Sequence, residues 1–234
     1  MSTYAPHVLK RAVAAICTDI QSRTVCTIKP DERDLWWELS SCILSSQVPY
    51  SLAIAFSDVI DEEGLLLHDS YDTKTLMQRL IVVLRTPRVV EGQLRTYRFP
   101  AVRASQLAAA RTVIMTAQCS LCELVGSFQD ATEARAWLVK HVPGIGPKQA
   151  SMFLRNIGIS YDLAVLDRHV LNYMSKLNIY SGTNLFISNL TQYCKYEAIL
   201  REHAQAFDCS VGILDWAIWI VMRVANRNME AIAT

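Results

Sequence analysis

The sequence predicts an all-α protein, and three observations carry that prediction. Apolar residues recur at helical spacing through most of the chain, and no alternating strand of useful length interrupts them. Glycine and proline are scarce, at 8 and 7 in 234 residues, which leaves too few breakers for a many-turned β fold. Residues that cap helices stand where the periodic runs begin: Asp31, Asp130 three residues before Glu133, and Asp167 before Arg168.

Taken in order, the pattern predicts helices over Ala5–Ser22, Asp31–Gln47, Tyr50–Ile60, Asp72–Leu84 and Ala101–Thr116. A short helix follows at Leu121–Gly126, then Asp130–His141, Pro147–Ile157, Arg168–Leu177, Thr183–Ala206 and Val211–Asn226. Gly158 stands where the helix ending at Ile157 should stop. Trp36 and Trp37 lie in an apolar helix, and adjacent positions cannot both face a core equally.

Composition excludes several classes. Half the residues are hydrophobic (51%) and 19% are charged, which describes a globular chain and not a disordered one. The net charge is +1, so any nucleic-acid contact must come from local arrangement: a few Arg or Lys, helix N-termini and backbone amides. The apolar run Ile213–Val221 is too short to span a bilayer and contains Asp215. The first ten residues are mixed and polar, unlike a secretory leader, and the seven scattered cysteines read as reduced thiols in a cytoplasmic protein. Cys119 and Cys122 form one C-x-x-C without a second pair at zinc spacing, so thiols are expected there and not a metal or redox site. No four-cysteine run suggests an iron–sulfur cluster.

The most informative stretch is Leu138–Ala150, reading LVKHVPGIGPKQA. A helix ends near His141, and a tight turn follows with Gly144 and Gly146 one residue apart. Both glycines let the backbone approach a partner and permit left-handed torsions. Pro147 takes the first position of the next helix, where its missing N–H is not needed. The exposed amides of the turn and of the new helix form an anion site suited to a DNA phosphate. This is a helix-hairpin-helix signature, and by itself it implies only sequence-independent DNA binding.

Two residues add chemistry. Lys148 lies in the first turn of the second hairpin helix, where the helix N-terminus disfavours positive charge and should favour the neutral amine. A neutral amine can attack an electrophilic sugar carbon and form a Schiff base. Nineteen residues on, the run Leu163-Ala164-Val165-Leu166 brings Asp167 to the start of another helix. As a cap it is held ionised by backbone amides, and it can stabilise positive charge on a deoxyribose as a base departs. The plain alternatives are a phosphate-binding lysine and a cap with no further role.

With these residues in view, the chain resembles the helix-hairpin-helix DNA glycosylases, and within them the short (type 2) 8-oxoguanine DNA glycosylase/AP lyase branch. The match is strongest at HVPGIGPKQASMFLRNIG and DLAVLDRHVL, between His141 and Val170. Leu44-Ser45-Ser46-Gln47 resembles the family's helix end that enters DNA near the vacated base. Tyr97-Arg98-Phe99-Pro100 resembles a segment of the base pocket, and Leu214–Trp219 the last pocket helix.

The resemblance implies two helical lobes with a cleft between them that holds the site. The boundaries expected are 50–165 for a central lobe, with the hairpin at 130–157, and 1–49 plus 166–234 for the second. It implies that Lys148 attacks C1′ of a flipped nucleotide, that Asp167 assists base departure, and that β-elimination from the Schiff base then nicks the strand. Phe99 and Trp219 would stack on the extruded base in a pocket that includes Asp215, with core packing as the plain alternative. Gln47 would fill the gap or read the opposite base, and otherwise only ends its helix. Val142, Gly144, Gly146, Pro147, Arg155 and Arg168 are expected to meet DNA, and Arg95, Arg98 and Arg103 are further phosphate candidates. No cofactor and no metal is required, although the carbonyls of Val142 and Ile145 could hold a monovalent cation. The partner expected is double-stranded DNA with a modified base, bound by a monomer.

The match departs at the C-terminus. The short branch ends soon after the pocket helix in a lysine that helps read the base, whereas this chain continues from Arg223 to Thr234. The reaction type is therefore the firmer expectation. 8-Oxoguanine is the default base, a bulky modified base of foreign (phage) DNA is the alternative, and a non-catalytic DNA-binding module is the alternative of another class.

Overall fold

A computed structural model describes residues 4–23, 30–68, 71–118, 120–182 and 184–232, with side chains to residue 225. Cys119 and Thr183, named above, lie outside the described residues, as do Cys26 and the side chains beyond Ala225. The described residues form eleven helices and one two-stranded hairpin, so the fold is all-α as the sequence predicts. The chain divides into two compact units, 29–157 and 1–28 with 158–234. The resemblance implies boundaries at 49/50 and 165/166 instead. Residues 32–44 belong with the middle of the chain because that helix packs on the helices at 50–62 and 147–156.

The unit 29–157 contains α2 (Glu32–Leu44), α3 (Tyr50–Glu62), α4 (Thr73–Arg85), β1 (Arg88–Val90), β2 (Gln93–Arg95), α5 (Pro100–Ala117), α6 (Leu121–Gly126), α7 (Ala131–His141) and α8 (Pro147–Asn156). Asp31 begins α2 with a full capping box: its carboxylate accepts from the Asp34 amide, and the Asp34 side chain accepts from the Asp31 amide. Asp72 caps α4, and Asp130 caps α7 by accepting from the amides of Thr132 and Glu133. The pairs α2–α3, α4–α5, α7–α8 and α2–α8 pack together over a core that includes Leu35, Leu39, Ile43, Phe56, Leu80 and Phe153. Trp36 is buried and Trp37 half-buried, each indole N–H donating to a carboxylate, Glu32 and Asp58 respectively.

The hairpin β1–β2 was not foreseen. Each strand has only three residues, too few for alternation to show. Its turn is Glu91-Gly92, with φ of 52° and 75° at the two positions, the backbone that a two-residue antiparallel connection requires.

The other unit contains α1 (Pro6–Arg23), α9 (Arg168–Lys176), α10 (Leu190–Gln205) and α11 (Val211–Ile232). α11 packs against α1, α9 and α10, around Val13, Val170, Tyr173, Tyr193, Leu214 and Ile218. The helix expected from residue 183 begins only at Leu190, where Asn189 caps it by accepting from the Gln192 amide. The thiols of Cys17 and Cys209 stand 3.8 Å apart in this unit. No helix among the described residues is long and apolar enough to cross a membrane.

Candidate active site and DNA-binding turns

The hairpin foreseen in the sequence is formed. α7 ends at His141, the chain turns through Val142–Gly146, and α8 starts at Pro147 with Gly146 as its cap residue. Gly144 has φ of +87°, and a Cβ there would also stand 3.0 Å from the side chain of Gln106. Backbone and packing therefore both require glycine. Val142 and Ile145 are buried and pin the turn to the core. The Val142 carbonyl accepts the Ile145 amide at 3.2 Å, so a cation held there would share that oxygen.

Lys148 follows Pro147 and is half-buried. Among the described residues it makes no hydrogen bond or ion pair. Near it, Glu38 and Cys42 are buried on α2 and meet the exposed Asn156 at the end of α8. Asn156 Nδ2 donates to Glu38 Oε1 at 2.8 Å, and Cys42 Sγ donates to the same oxygen at 3.3 Å. Burial raises the Glu38 carboxyl above its ordinary value of 4.5, against the opposing pull of Asn156, Cys42, Ser41 and Arg155. Burial also pushes the Cys42 thiol well up, reinforced by Glu38, while the positive charge of Lys148 acts the other way. Tyr50 is pushed to about 12, by burial first and then by Glu38 and Cys42. The charge of Arg155 is felt by both Glu38 and Tyr50, so this expected phosphate contact also serves the buried acid.

Glu38 makes a pH prediction. Below its unfolded value near 4.5 the carboxyl is protonated in both states and its burial is tolerated. As pH rises through the window between that value and the raised folded one, only the unfolded state gains charge freely, and stability is lost. Glu38→Gln is therefore expected to gain thermal stability relative to wild type as pH rises through this window. A difference in melting temperature that stays constant with pH would contradict the assignment.

The turn after α2 carries Gln47, which is exposed with φ of +64°. A left-handed backbone at a residue other than glycine costs roughly 1–2 kcal/mol, so neighbours must hold the turn. Tyr97 Oη donates to the Leu44 carbonyl at 2.6 Å, and Arg103 Nη2 donates to the Ser46 carbonyl at 3.1 Å. Arg103 is thus corrected from the list of phosphate contacts. It is 8% exposed, because its guanidinium is engaged under this turn.

In the other unit, Asp167 is the cap of α9, and its Oδ1 accepts the amides of His169 at 2.8 Å and Val170 at 2.9 Å. The segment before it, Leu163–Leu166, is buried outside any sheet, so its amides need side-chain partners. Glu197 Oε1 accepts from Ala164 at 2.7 Å, Asp215 Oδ2 from Val165 at 2.6 Å, and Tyr193 Oη from Leu166 at 2.9 Å. Tyr193 also donates to the Ala164 carbonyl at 2.8 Å. Asp215, expected in a base pocket, is 2% exposed and holds the segment that delivers Asp167. Glu197 and Tyr193 were missed, since nothing local in the sequence marks them.

Phe99 and Trp219 are half-buried. The Arg98 guanidinium lies 4.9 Å from the Phe99 ring centroid, and that of Arg223 lies 4.8 Å from the Trp219 centroid. A base stacking on either ring would share it with a cation. Arg168 is exposed. Arg95 is exposed and donates to Gln93 Oε1 at 2.8 Å.

Cys122 is exposed, and its thiol is pushed up to about 11 by burial of the sulfur and then by Glu32. It stays protonated at neutral pH. Among the described residues no three His, Cys, Asp or Glu side chains are grouped to hold a metal ion.

Comparison with known proteins agrees in extent with these features. The family described as 8-oxoguanine DNA glycosylase, of the helix-hairpin-helix type, matches residues 19–209. The 8-oxoguanine DNA glycosylase/AP lyase of Picrophilus torridus is 31% identical over 193 residues, covering 82% of this chain and 81% of that protein. The protein of the same description from Sulfurisphaera tokodaii is 30% identical over 200 residues, with 85% and 86% covered. The crystal structure of the 8-oxoguanine DNA glycosylase of Thermotoga maritima superposes with a TM-score of 0.60 at 28% identity, covering 91% of this chain and 87% of that one.

Proposed function

Because the chain belongs to the helix-hairpin-helix 8-oxoguanine DNA glycosylase family and is a DNA N-glycosylase/AP lyase, we propose that Lys148 and Asp167 carry its chemistry and that 8-oxoguanine is its base. The nitrogen of Lys148 attacks C1′ of an everted nucleotide as the glycosidic bond breaks, and the bonding pair leaves with the base. Asp167 stabilises the positive charge that develops on the sugar. Ring opening gives the Schiff base. Loss of a C2′ proton then expels the 3′ phosphate and cuts the strand. The hairpin turn and the N-terminus of α8 grip the backbone of double-stranded DNA through their amides, with Arg168 and Arg155 as further contacts. Phe99 and Trp219 flank the base, and Gln47 enters the stack it left.

The observation that carries this reading is the placement of Lys148. It is half-buried in the first turn of α8, directly after the hairpin turn, with no carboxylate partner among the described residues. A lysine serving as a structural ion pair would have one. The name shared by the relatives supports the choice of base.

The experiment is a panel of duplexes carrying 8-oxoguanine, other oxidised bases or bulky modified cytosines, with released bases identified by mass spectrometry and covalent complexes trapped by borohydride. Release of 8-oxoguanine with trapping is expected. Preferential release of modified cytosine would replace the base and point to foreign DNA. Binding with neither release nor trapping would leave only a DNA-binding hairpin and overturn the proposal.

A further inference from the structure

Arg103 is a buried cation with no carboxylate partner among the described residues. Its Nη1 donates to Gln106 Oε1 at 2.6 Å and its Nη2 to the Ser46 carbonyl at 3.1 Å. Its Nε is buried without a hydrogen-bond partner. It also lies against the Tyr97 hydroxyl, which itself holds the Leu44 carbonyl. Burying a guanidinium on neutral acceptors is a poor way to gain stability, and an apolar side chain could fill the same space. What the guanidinium does is join two turns. One ends in the exposed, left-handed Gln47. The other is the hairpin turn, where Gly144 leaves room for the Gln106 side chain that Arg103 holds.

We propose that Arg103 is a positioning residue that couples the phosphate-gripping hairpin turn to the Gln47 turn, so that gripping the backbone sets Gln47 for entry into the base stack. The proposal rests on the reading above that Gln47 enters DNA. Arg103 touches no DNA itself and acts through Ser46 and Gln106.

The test uses the full chain and a duplex in which 2-aminopurine stands beside a tetrahydrofuran abasic analogue. A side chain entering the gap unstacks the fluorophore and raises its emission, while anisotropy of an end label reports binding separately. Borohydride trapping on a true abasic site and the melting temperature serve as controls. Wild type is expected to bind and raise the emission. Gln47→Ala, compared at saturating protein, is expected to lose the rise. Arg103→Met is expected to bind and trap normally but to lose the rise, and Arg103→Lys, which keeps donors for both acceptors, is expected to restore it.

If Gln47→Ala loses the rise and Arg103→Met keeps it, the coupling is overturned while the reading of Gln47 stands. If Gln47→Ala keeps the rise, that reading fails and the coupling with it. If Arg103→Met loses binding, trapping and melting temperature together and Arg103→Lys repairs none of them, Arg103 only holds the fold and the proposal is overturned.

Discussion

Lys148→Gln is expected to abolish borohydride trapping on abasic-site DNA and to slow base release by roughly 10³-fold or more, the scale seen when a nucleophile is removed from a working site. The substitution leaves a polar side chain one atom shorter and removes the amine. Lys148 makes no hydrogen bond or ion pair among the described residues, so stability should change by no more than about 0.5 kcal/mol. DNA binding should persist, because the proposed grip on phosphate runs mainly through backbone amides. The measurement also separates chemistry from simple contact. A phosphate-binding lysine would show its loss as weaker binding and a salt slope smaller by about one. A variant that binds weakly but still traps would show that another amine forms the Schiff base.

Asp167 has the second large effect, and it divides into two parts. Its carboxylate accepts the amides of His169 and Val170 and so caps α9 whatever else it does. Asparagine can still cap, whereas alanine cannot and should cost about 1 kcal/mol, a fall of about 2–4 °C in melting temperature for a chain of this size. Asp167→Asn should therefore melt like wild type, yet release base about 10²-fold more slowly, because the charge proposed to face the sugar cation is gone. Trapping on a preformed abasic site, where no base departs, should be largely spared. Normal base release by Asp167→Asn together with a lower melting temperature for Asp167→Ala would reduce Asp167 to a cap.

Several features were legible because their causes are local. Asp31, Asp130 and Asp167 cap helices by accepting amides two or three residues on. Gly144, Gly146 and Pro147 announce a turn and a helix start within four residues. Other expectations changed for reasons the pattern does not contain. Arg103 looked like a surface cation, yet its hydrogen-bond acceptor at Ser46 is 57 residues away. Asp215, expected in a base pocket, also satisfies the amide of Val165, 50 residues away. Glu38 gave no sign at all, because its partner Asn156 is 118 residues distant.

The sequence by itself determined the helices, the hairpin between α7 and α8, and the identities of the lysine and aspartate that close its two strongest motifs. These follow from torsional preference, apolar spacing and side chains that reach their own backbone, none of which needs a distant partner. Only the tertiary structure decided what surrounds the two residues: the charge of Lys148 is felt by the buried Cys42, which shares Glu38 with Asn156, and Asp167 ends a segment clamped by Glu197, Asp215 and Tyr193. A buried amide or carboxyl must find a partner once water is excluded, and which side chain meets it is set by how distant helices pack.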